Sequence, residues 1–342
     1  CACPFVDSLE GVTHALRTSE YRDREAQYQR VLAMQAAVWP GLPPVAIWDY
    51  SRLAFVHTVL SKRKLLWFVQ AGRVTGWDDP RFPTVRGVLR RGLTVQALRE
   101  FILAQGASRN TTLQEWDKLW AINRGVIDPV CPRHVPVPLA GAARLTLAGA
   151  GEPPEVVEVP KHKKWAAAGT KQTTRSARVW LAAADADAVA AGEEVTLMDW
   201  GNAVVESKSP GAAGGTPELA GRLHLEGSVK ATKLKLTWLP DHPSAPLTPL
   251  TLVDLGPLLS KKKLDEGDDF EAAVAPTTRW ETPALGDPAM AALAKGDVVQ
   301  LERVGYFIVD EPAGAGGDAS KPAVLIRVPD GKKGSFMGPP GA

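Results

Sequence analysis

Hydrophobic residues between 84 and 130 recur every three or four positions, which is the spacing of helices with one buried face. The first of two predicted helical stretches stops at Gly106. The second begins at a capping box formed by Thr112 and Glu115 and ends at Gly125. The sequence therefore predicts a helical region within the first half of the chain.

The segments on either side of this region have different patterns. Residues 1 to 83 mix short apolar runs with helix-like stretches, as α/β domains do. From residue 131 to residue 342, short alternating segments such as KLKLTWL and VVQLERVGYFIV are separated by Pro and Gly every several residues. This texture is typical of antiparallel sheets or barrels. We therefore expect a mixed fold class, α/β and then all-β.

Composition describes an ordinary globular chain. Its 342 residues are 45% hydrophobic and 23% charged, and the apolar stretches are far shorter than the roughly 18 residues of a membrane span. Three cysteines, Cys1, Cys3 and Cys131, are too few for a disulfide framework or a four-ligand zinc site. We expect no metal centre and no membrane partner, and a cytosolic location. The chain opens on CACPFVDSLEG without a Met, so we expect a piece of a longer protein.

Charge is distributed unevenly although the formal net charge is only +2. Between Glu158 and Asp185 there are six basic residues and no acidic one: Lys161, Lys163, Lys164, Lys171, Arg175 and Arg178. In KLKLTWL, Lys233 and Lys235 fall on one face of a predicted strand. A basic sheet face suits a phosphate backbone, but solvated lysines that protect a sheet edge would look the same.

A Ser-Lys pair, Ser61 and Lys62, begins the basic run S-K-R-K. A lysine on a loop is a flexible point charge, and a serine hydroxyl adds a hydrogen-bond donor, so the pair could hold a triphosphate. Taken alone, such a run is more often a charge cluster on the surface.

Four segments, in this order, resemble the class I tRNA synthetases for glutamate and glutamine. They are DSLEGVTHALRTSEYRD (7–23), IWDYSRLAFVHTVLSKRKL (47–65), GWDDPRFPTVRGVLRRG (76–92) and WDKLWAINRGVIDPV (116–130). In the β half, VPKHKKW, EEVTLMDWGNAVV, GSVKATKLKLTWL and GDVVQLERVGYF are similar to the anticodon-binding barrels of the cytosolic, eukaryotic-type enzymes. The resemblance covers nearly the whole chain.

The resemblance implies a division of the chain. Residues 1–83 would be the C-terminal part of a Rossmann-like catalytic domain, and residues 84–130 a helical region that contacts the tRNA stem. Residues 131–342 would form a proximal and a distal anticodon-binding β-barrel with a boundary near residue 245. Either barrel could be built from segments that are not consecutive in the sequence. None of the six histidines has the H-x-G-H setting of the family's first signature, so we expect the front of the catalytic domain to be missing.

Residues of the ATP site follow from the family's second signature loop. Leu60, Ser61 and Lys62 match that loop, whose lysine stabilises the charge on the α-phosphate during adenylate formation. Arg52 and Leu53 match the pair that lies against the adenine, although Ala54 replaces the usual Asn. The resemblance implies ATP with Mg²⁺ as a substrate and no tightly bound cofactor.

Two further residues concern the amino acid and the acceptor stem. Arg17 in T-H-A-L-R-T occupies a position where the glutamate enzymes carry Arg and the glutamine enzymes a small neutral residue. A guanidinium suits the side-chain carboxylate of L-glutamate, whereas an ion pair with Asp7 or Glu10 would give Arg17 a structural role instead. Asp23 matches an acidic residue that reads the guanine amine in the acceptor stem.

Anticodon contacts fall in the second half of the chain. Gln300 and Arg303 match positions that contact anticodon bases. The match of Lys171, Arg175 and Arg178 is looser because the loop over 165–178 differs in length.

The resemblance implies that the intact protein is a glutamate–tRNA ligase that acts on ATP, L-glutamate and tRNA(Glu). We expect this chain, as a fragment of that enzyme, to be inactive on its own. A glutaminyl enzyme and a non-catalytic tRNA-binding module stay open as alternatives. The sequence identifies no scaffold partner from a multi-synthetase assembly.

Overall fold

A computed structural model describes residues 2–211 and 215–339, so Cys1 lies outside the described residues. Seven α-helices lie within these ranges: α1 (Ala2–Leu9), α2 (Glu25–Val38), α3 (Lys62–Gln70), α4 (Val85–Arg90), α5 (Val95–Gln105), α6 (Trp116–Ile127) and α7 (Ala183–Ala188). Strands of the first 140 residues are β1 (His14–Thr18), β2 (Ala46–Tyr50), β3 (Ala54–Phe55), β4 (Leu113–Gln114), β5 (Arg133–His134) and β6 (Pro136–Pro138). Short 3-10 helices cover Ser19–Arg24, Ala166–Ala168, Pro288–Ala292 and Ala315–Gly317.

The remaining strands all lie beyond residue 142. They are β7 (Ala143–Ala148), β8 (Glu155–Pro160), β9 (Thr170–Arg175), β10 (Arg178–Leu181), β11 (Glu194–Leu197), β12 (Gly201–Ser209), β13 (Glu218–Leu223), β14 (Lys235–Leu236), β15 (Trp238–Pro240), β16 (Thr248–Leu255), β17 (Arg279–Gly286), β18 (Val298–Leu301), β19 (Gly305–Glu311) and β20 (Ala323–Val328).

The helical region begins and ends partly as its sequence predicts. Thr94 caps α5 by accepting a hydrogen bond from the Ala97 amide, and Gly106 follows the helix at φ 70°, a conformation that favours glycine. The predicted capping box is wrong: Thr112 bonds instead to the Gln114 side chain, and α6 begins only after Glu115. The cause is non-local, because Leu113–Gln114 is extended to pair with β3 as strand β4.

The predicted end of α6 is also wrong. Gly125 lies inside the helix, which continues to Ile127. Ile127 is only 4% exposed and packs in the main core, so burial of the last turn extends the helix past a residue of low helix propensity.

Two seven-stranded, barrel-like sheets make up the second half. Their strand orders are β14-β11-β12-β13-β7-β10-β15 and β5-β18-β19-β20-β16-β17-β6. Most neighbours are antiparallel as expected, but four pairs are parallel: β7 with β13, β11 with β14, β16 with β20 and β5 with β18. Strands β5 and β6, which precede the first sheet in the chain, belong to the second sheet.

The helical region and the second sheet share one core. Trp116 and Trp120 of α6 pack with Phe101 of α5 and with Val253 and Ile326 of the second sheet. A long connection between β16 and β17, residues 256–278, leaves this sheet and packs Leu258 and Leu259 against Leu65 and Phe68 of α3; we call it the excursion. The fold therefore links the second sheet directly to the segment that carries the Ser-Lys pair.

Candidate active site and nucleic-acid interface

The Ser-Lys pair stands at the start of a helix. Ser61 is the N-cap residue of α3 with extended backbone, and Lys62 is the first of its nine residues. Both residues are exposed, and among the described residues no carboxylate lies within ion-pair distance of Lys62. Amide groups of a first helical turn and a free ammonium both attract anions, so the pair can receive phosphate oxygens.

The loop that leads to Ser61 is held from two sides. The indole Nε1 of Trp116 lies 3.2 Å from the Val56 carbonyl oxygen and 3.1 Å from the Thr58 hydroxyl. His57 has a left-handed backbone (φ 55°), and its amide and Nδ1 contact the carbonyl oxygens of Lys262 and Leu259 in the excursion. Trp116 begins the fourth segment that resembles the synthetases, but nothing in that segment indicates these hydrogen bonds.

Arg52 and Leu53 lie just upstream of this loop. The guanidinium of Arg52 is exposed and forms an ion pair with Glu20 at 2.7 Å. Leu53 is half-buried and packs with the core cluster of the helical region. The two residues thus share a segment with Ser61 and Lys62, and Arg52 already has a carboxylate partner.

Arg17 lies on strand β1, which pairs in parallel with β2. Its guanidinium carbon stands 4.3 Å from the centre of the Tyr28 ring, in a cation–π contact. The Tyr28 hydroxyl donates to Asp7 at 2.6 Å, and burial together with this hydrogen bond raises the pKa of Tyr28 to about 12. Within the described residues Arg17 forms no ion pair with Asp7 or Glu10, and Asp7 accepts the hydrogen bond of Tyr28 instead.

A cavity of about 460 Å³ opens over this arrangement. Its walls include Leu16, Arg17, Tyr21, Arg24 and Tyr28. Two guanidinium groups and two phenol rings around one space suit an anionic small molecule with an apolar stem.

Asp23 is exposed in the 3-10 helix Ser19–Arg24. Its neighbour Arg22 contacts Asp49 of β2 at 2.9 Å, and Arg109 contacts the same carboxylate at 2.8 Å. The hydrogen bonds and charges of these arginines lower the pKa of Asp49. Asp23 has no such partner among the described residues, so its carboxylate is free to accept a hydrogen bond from outside.

The two residues matched to anticodon contacts are close in sequence but differ in surroundings. The half-buried Gln300 lies on β18 beside β5, and its Oε1 has no hydrogen-bond partner among the described residues. Arg303, at φ 64°, forms an ion pair with Asp185 in the other half of the β region. Arg303 therefore already has a carboxylate partner within the chain.

Several basic residues of the stretch 161–178, which has no acidic residue of its own, form ion pairs with carboxylates from other parts of the chain. Arg175 contacts Glu155 at 3.0 Å, and Arg178 lies 3.6 Å from Asp241. Lys163 contacts Asp199 at 2.7 Å. Charge counted along the sequence therefore overstates the free positive charge of this segment.

Lys171 is the most enclosed of these residues. Its side chain is 7% exposed, and its ammonium contacts Asp287 Oδ2 at 2.7 Å and the Arg133 carbonyl oxygen at 3.1 Å. The His134 ring, fully buried, places Nδ1 2.9 Å from Asp287 Oδ1, and the Val135 amide donates to Oδ2. We call Lys171, Asp287 and His134 the joint, because β9 carries Lys171 whereas β5 and the segment after β17 carry the other two.

Electrostatics at the joint favours the ionised carboxylate. Burial by itself would raise the pKa of Asp287, but the charges and hydrogen bonds of His134 and Lys171 outweigh it and hold that pKa far below its usual range. Burial raises the pKa of the nearby Glu302. The sequence analysis singled out Lys171 but gave no role to Asp287 or His134.

Within residues 2–211 and 215–339, no three His, Cys, Asp or Glu side chains are grouped as around a metal ion. No helix in the same ranges is long and apolar enough to cross a bilayer.

Sequence models of three domains match the chain in succession. Residues 1–129 match the catalytic domain of class I tRNA synthetases (E and Q). Residues 131–225 and 235–310 each match an anticodon-binding domain of the same class I (E and Q) synthetases.

Curated relatives agree with these matches. The chain is 55% identical over 331 residues to the cytoplasmic glutamate–tRNA ligase of Arabidopsis thaliana, which is 97% of this chain and 45% of the relative. It is 45% identical to the cytoplasmic glutamate–tRNA ligase of Saccharomyces cerevisiae, over 96% of this chain and 44% of the relative. The bifunctional glutamate/proline–tRNA ligase of Mus musculus is 44% identical over 96% of this chain and 22% of its own length. The chain thus spans less than half the length of these relatives.

Proposed function

The chain belongs to the class I tRNA synthetases for glutamate and glutamine, and from this we propose that the intact protein is a cytosolic glutamate–tRNA ligase. The observation that carries the proposal is 55% identity, over 97% of the chain, to a relative with that name. Its substrates would be L-glutamate, tRNA(Glu) and ATP as the magnesium complex.

The proposed reaction has two steps. A carboxylate oxygen of glutamate bonds to the α-phosphorus of ATP, the bond to the bridging oxygen breaks, and pyrophosphate leaves. The 2′-hydroxyl of the terminal adenosine of the tRNA then attacks the acyl carbon and loses its proton, and AMP leaves. Lys62 and the first amides of α3 would stabilise charge on the α-phosphate, so their contribution is electrostatic and positional.

We further propose the finer division of the chain. Residues 1–83 would be the end of a Rossmann-like domain, residues 84–130 the stem-contacting region, and residues 131–342 the two anticodon barrels. Support for the first assignment comes from the β1–β2 pair, because parallel strands normally lie inside larger sheets covered on both faces. Here Leu16 on β1 and Trp48 on β2 remain 66% and 49% exposed.

The decisive experiment is pyrophosphate exchange by the full-length protein in the presence of tRNA. We expect exchange that depends on glutamate and not on glutamine. Exchange with glutamine alone would identify a glutaminyl enzyme, and tRNA binding without exchange would identify a binding module.

Arg17 provides a specificity test in the full-length enzyme. If its guanidinium pairs with the substrate carboxylate in the cavity, Arg17→Cys should lower kcat/KM for glutamate by roughly 10- to 100-fold and narrow the preference over glutamine. Arg30→Cys is the control, because it removes an exposed guanidinium of α2 that does not line the cavity, and it should leave the kinetics with glutamate unchanged. A fall in melting temperature with an unchanged glutamate-to-glutamine ratio would show that Arg17 only supports Tyr28.

Salt dependence tests the tRNA surface. Among the described residues, four lysines of the first sheet's loops have no carboxylate within ion-pair distance: Lys161, Lys164, Lys230 and Lys233. If three or four phosphates are neutralised there, log affinity for tRNA should fall against log salt with a slope of about −3, at roughly 0.7 to 0.9 per phosphate. Replacing all four lysines by Ala should flatten the slope, whereas Lys321→Ala, paired with Glu311, should not. A flat slope in the unaltered protein would contradict the assigned surface.

A further inference from the structure

Trp116 is placed to control the loop that precedes Lys62. Its indole N–H reaches both the Val56 carbonyl and the Thr58 hydroxyl, which lie six and four residues before Lys62. Its side chain is largely enclosed, with the residue 5% exposed, so water cannot readily replace either contact.

The plane of the Trp116 ring is fixed from both faces. Phe55 stacks on one side with ring centres 4.1 Å apart, and Phe336 stacks at 4.9 Å. Phe336 comes from residues 329–338, a segment after β20 that returns to α6 and that we call the strap. The Arg91 guanidinium lies over Phe336 at 4.5 Å and donates to the Leu255 carbonyl of the second sheet.

These contacts form a continuous physical connection. The strap holds the ring of Trp116, the ring orients its N–H, and the N–H fixes the backbone at Val56 and Thr58. The Val56 and His57 amides are themselves bonded to Gln114 and Lys262, so this backbone has one well-defined arrangement.

We propose that Trp116 is a positioning residue for the ATP-binding loop, held in place by Phe336 of the strap. The inference rests on the proposed function, because it assigns to Trp116 the task of presenting Ser61 and Lys62 to the triphosphate. Trp116 would not touch the substrate itself.

A neighbouring tryptophan supplies a matched control in the full-length protein. Trp120 lies one turn further along α6 and is fully buried, but its Nε1 has no hydrogen-bond partner among the described residues. Trp116→Phe and Trp120→Phe therefore remove similar ring volume from the same core, and only the first removes hydrogen bonds to the loop.

We expect Trp116→Phe to lower kcat/KM for ATP in glutamate-dependent exchange by about three- to tenfold, the loss of roughly one hydrogen bond. Most of the change should be in KM for ATP, with tRNA affinity unchanged. Trp120→Phe should lower the melting temperature by about as much as Trp116→Phe does, but it should leave the kinetics of pyrophosphate exchange near those of the unaltered enzyme. Equal kinetics in the two variants would overturn the proposal.

Amide hydrogen exchange tests the positioning role of Trp116 whether or not the proposed ligase function is correct. In the same full-length variants, the Val56 and His57 amides should exchange about three- to tenfold faster in Trp116→Phe than in Trp120→Phe. Phe336→Leu should show part of this increase, and Met337→Leu, at an exposed neighbouring residue, should show none. Unchanged exchange in Trp116→Phe would reject the positioning role even if the enzyme is active. Faster exchange in a protein without ligase activity would reject the proposed function alone.

Discussion

Asp287→Asn is expected to lower the free energy of unfolding by about 3 to 5 kcal/mol, because it leaves the Lys171 ammonium buried without a counter-charge. Urea unfolding of the chain, followed by tryptophan fluorescence, measures the loss. Asp268→Asn is the control: its carboxylate pairs with the exposed Lys261, where solvent screens the interaction, so the control should lose much less stability.

A second substitution shows whether the loss comes from an unpaired charge. Lys171→Met combined with Asp287→Asn removes both partners, so the double variant should be more stable than Asp287→Asn alone. Two results would show that Lys171 and Asp287 are not a coupled buried pair. One is a loss of unfolding free energy in Asp287→Asn no larger than that in Asp268→Asn. The other is a double variant whose loss equals the sum of the losses in Lys171→Met and Asp287→Asn.

The same pair should give a specific pH dependence. The pKa of Asp287 is depressed in the folded state, so its contribution is complete above the unfolded value of about 3.9 and is lost as pH falls below that value. Stability measured from pH 7 down to pH 3 should therefore fall more steeply in the unaltered chain than in Asp287→Asn. Parallel curves would contradict the assigned coupling.

Local signals in the sequence were sufficient where the structure depends on local chemistry. Gly106 marks the end of α5 correctly, because a left-handed glycine acts within a few residues. The capping box predicted at Thr112 and Glu115 is equally local and was wrong, since β4 pairs with a strand nearly 60 residues earlier in the chain. A cap signal cannot reveal a competing partner that is distant in sequence.

Ion pairs around Lys171 also could not be predicted from the local sequence, because their partners are distant in the chain. The segment around Lys171 has no acidic residue of its own, yet folding brings Asp287 to Lys171 from 116 residues away and Asp199 to Lys163 from 36 residues away. The resemblance matched the segment of Lys62, whose proposed role depends on the residues of one short stretch of chain. The matched segment 116–130 includes Trp116, but nothing in it indicates that Trp116 stacks on Phe336 and bonds to Val56, because these contacts join distant segments.

Lys62→Ala in the full-length enzyme should slow glutamyl-adenylate formation by about 10²- to 10³-fold, because in the proposed reaction the ammonium would meet charge that develops on the α-phosphate only during reaction. Single-turnover formation of the adenylate measures this step, and tRNA affinity should change little. Lys64→Ala removes the same charge two residues along α3, where the ammonium lies 5.2 Å from the Phe270 ring, and should cost less than about tenfold. Equal losses in adenylate formation and in tRNA binding would instead make Lys62 a lysine that contacts the tRNA.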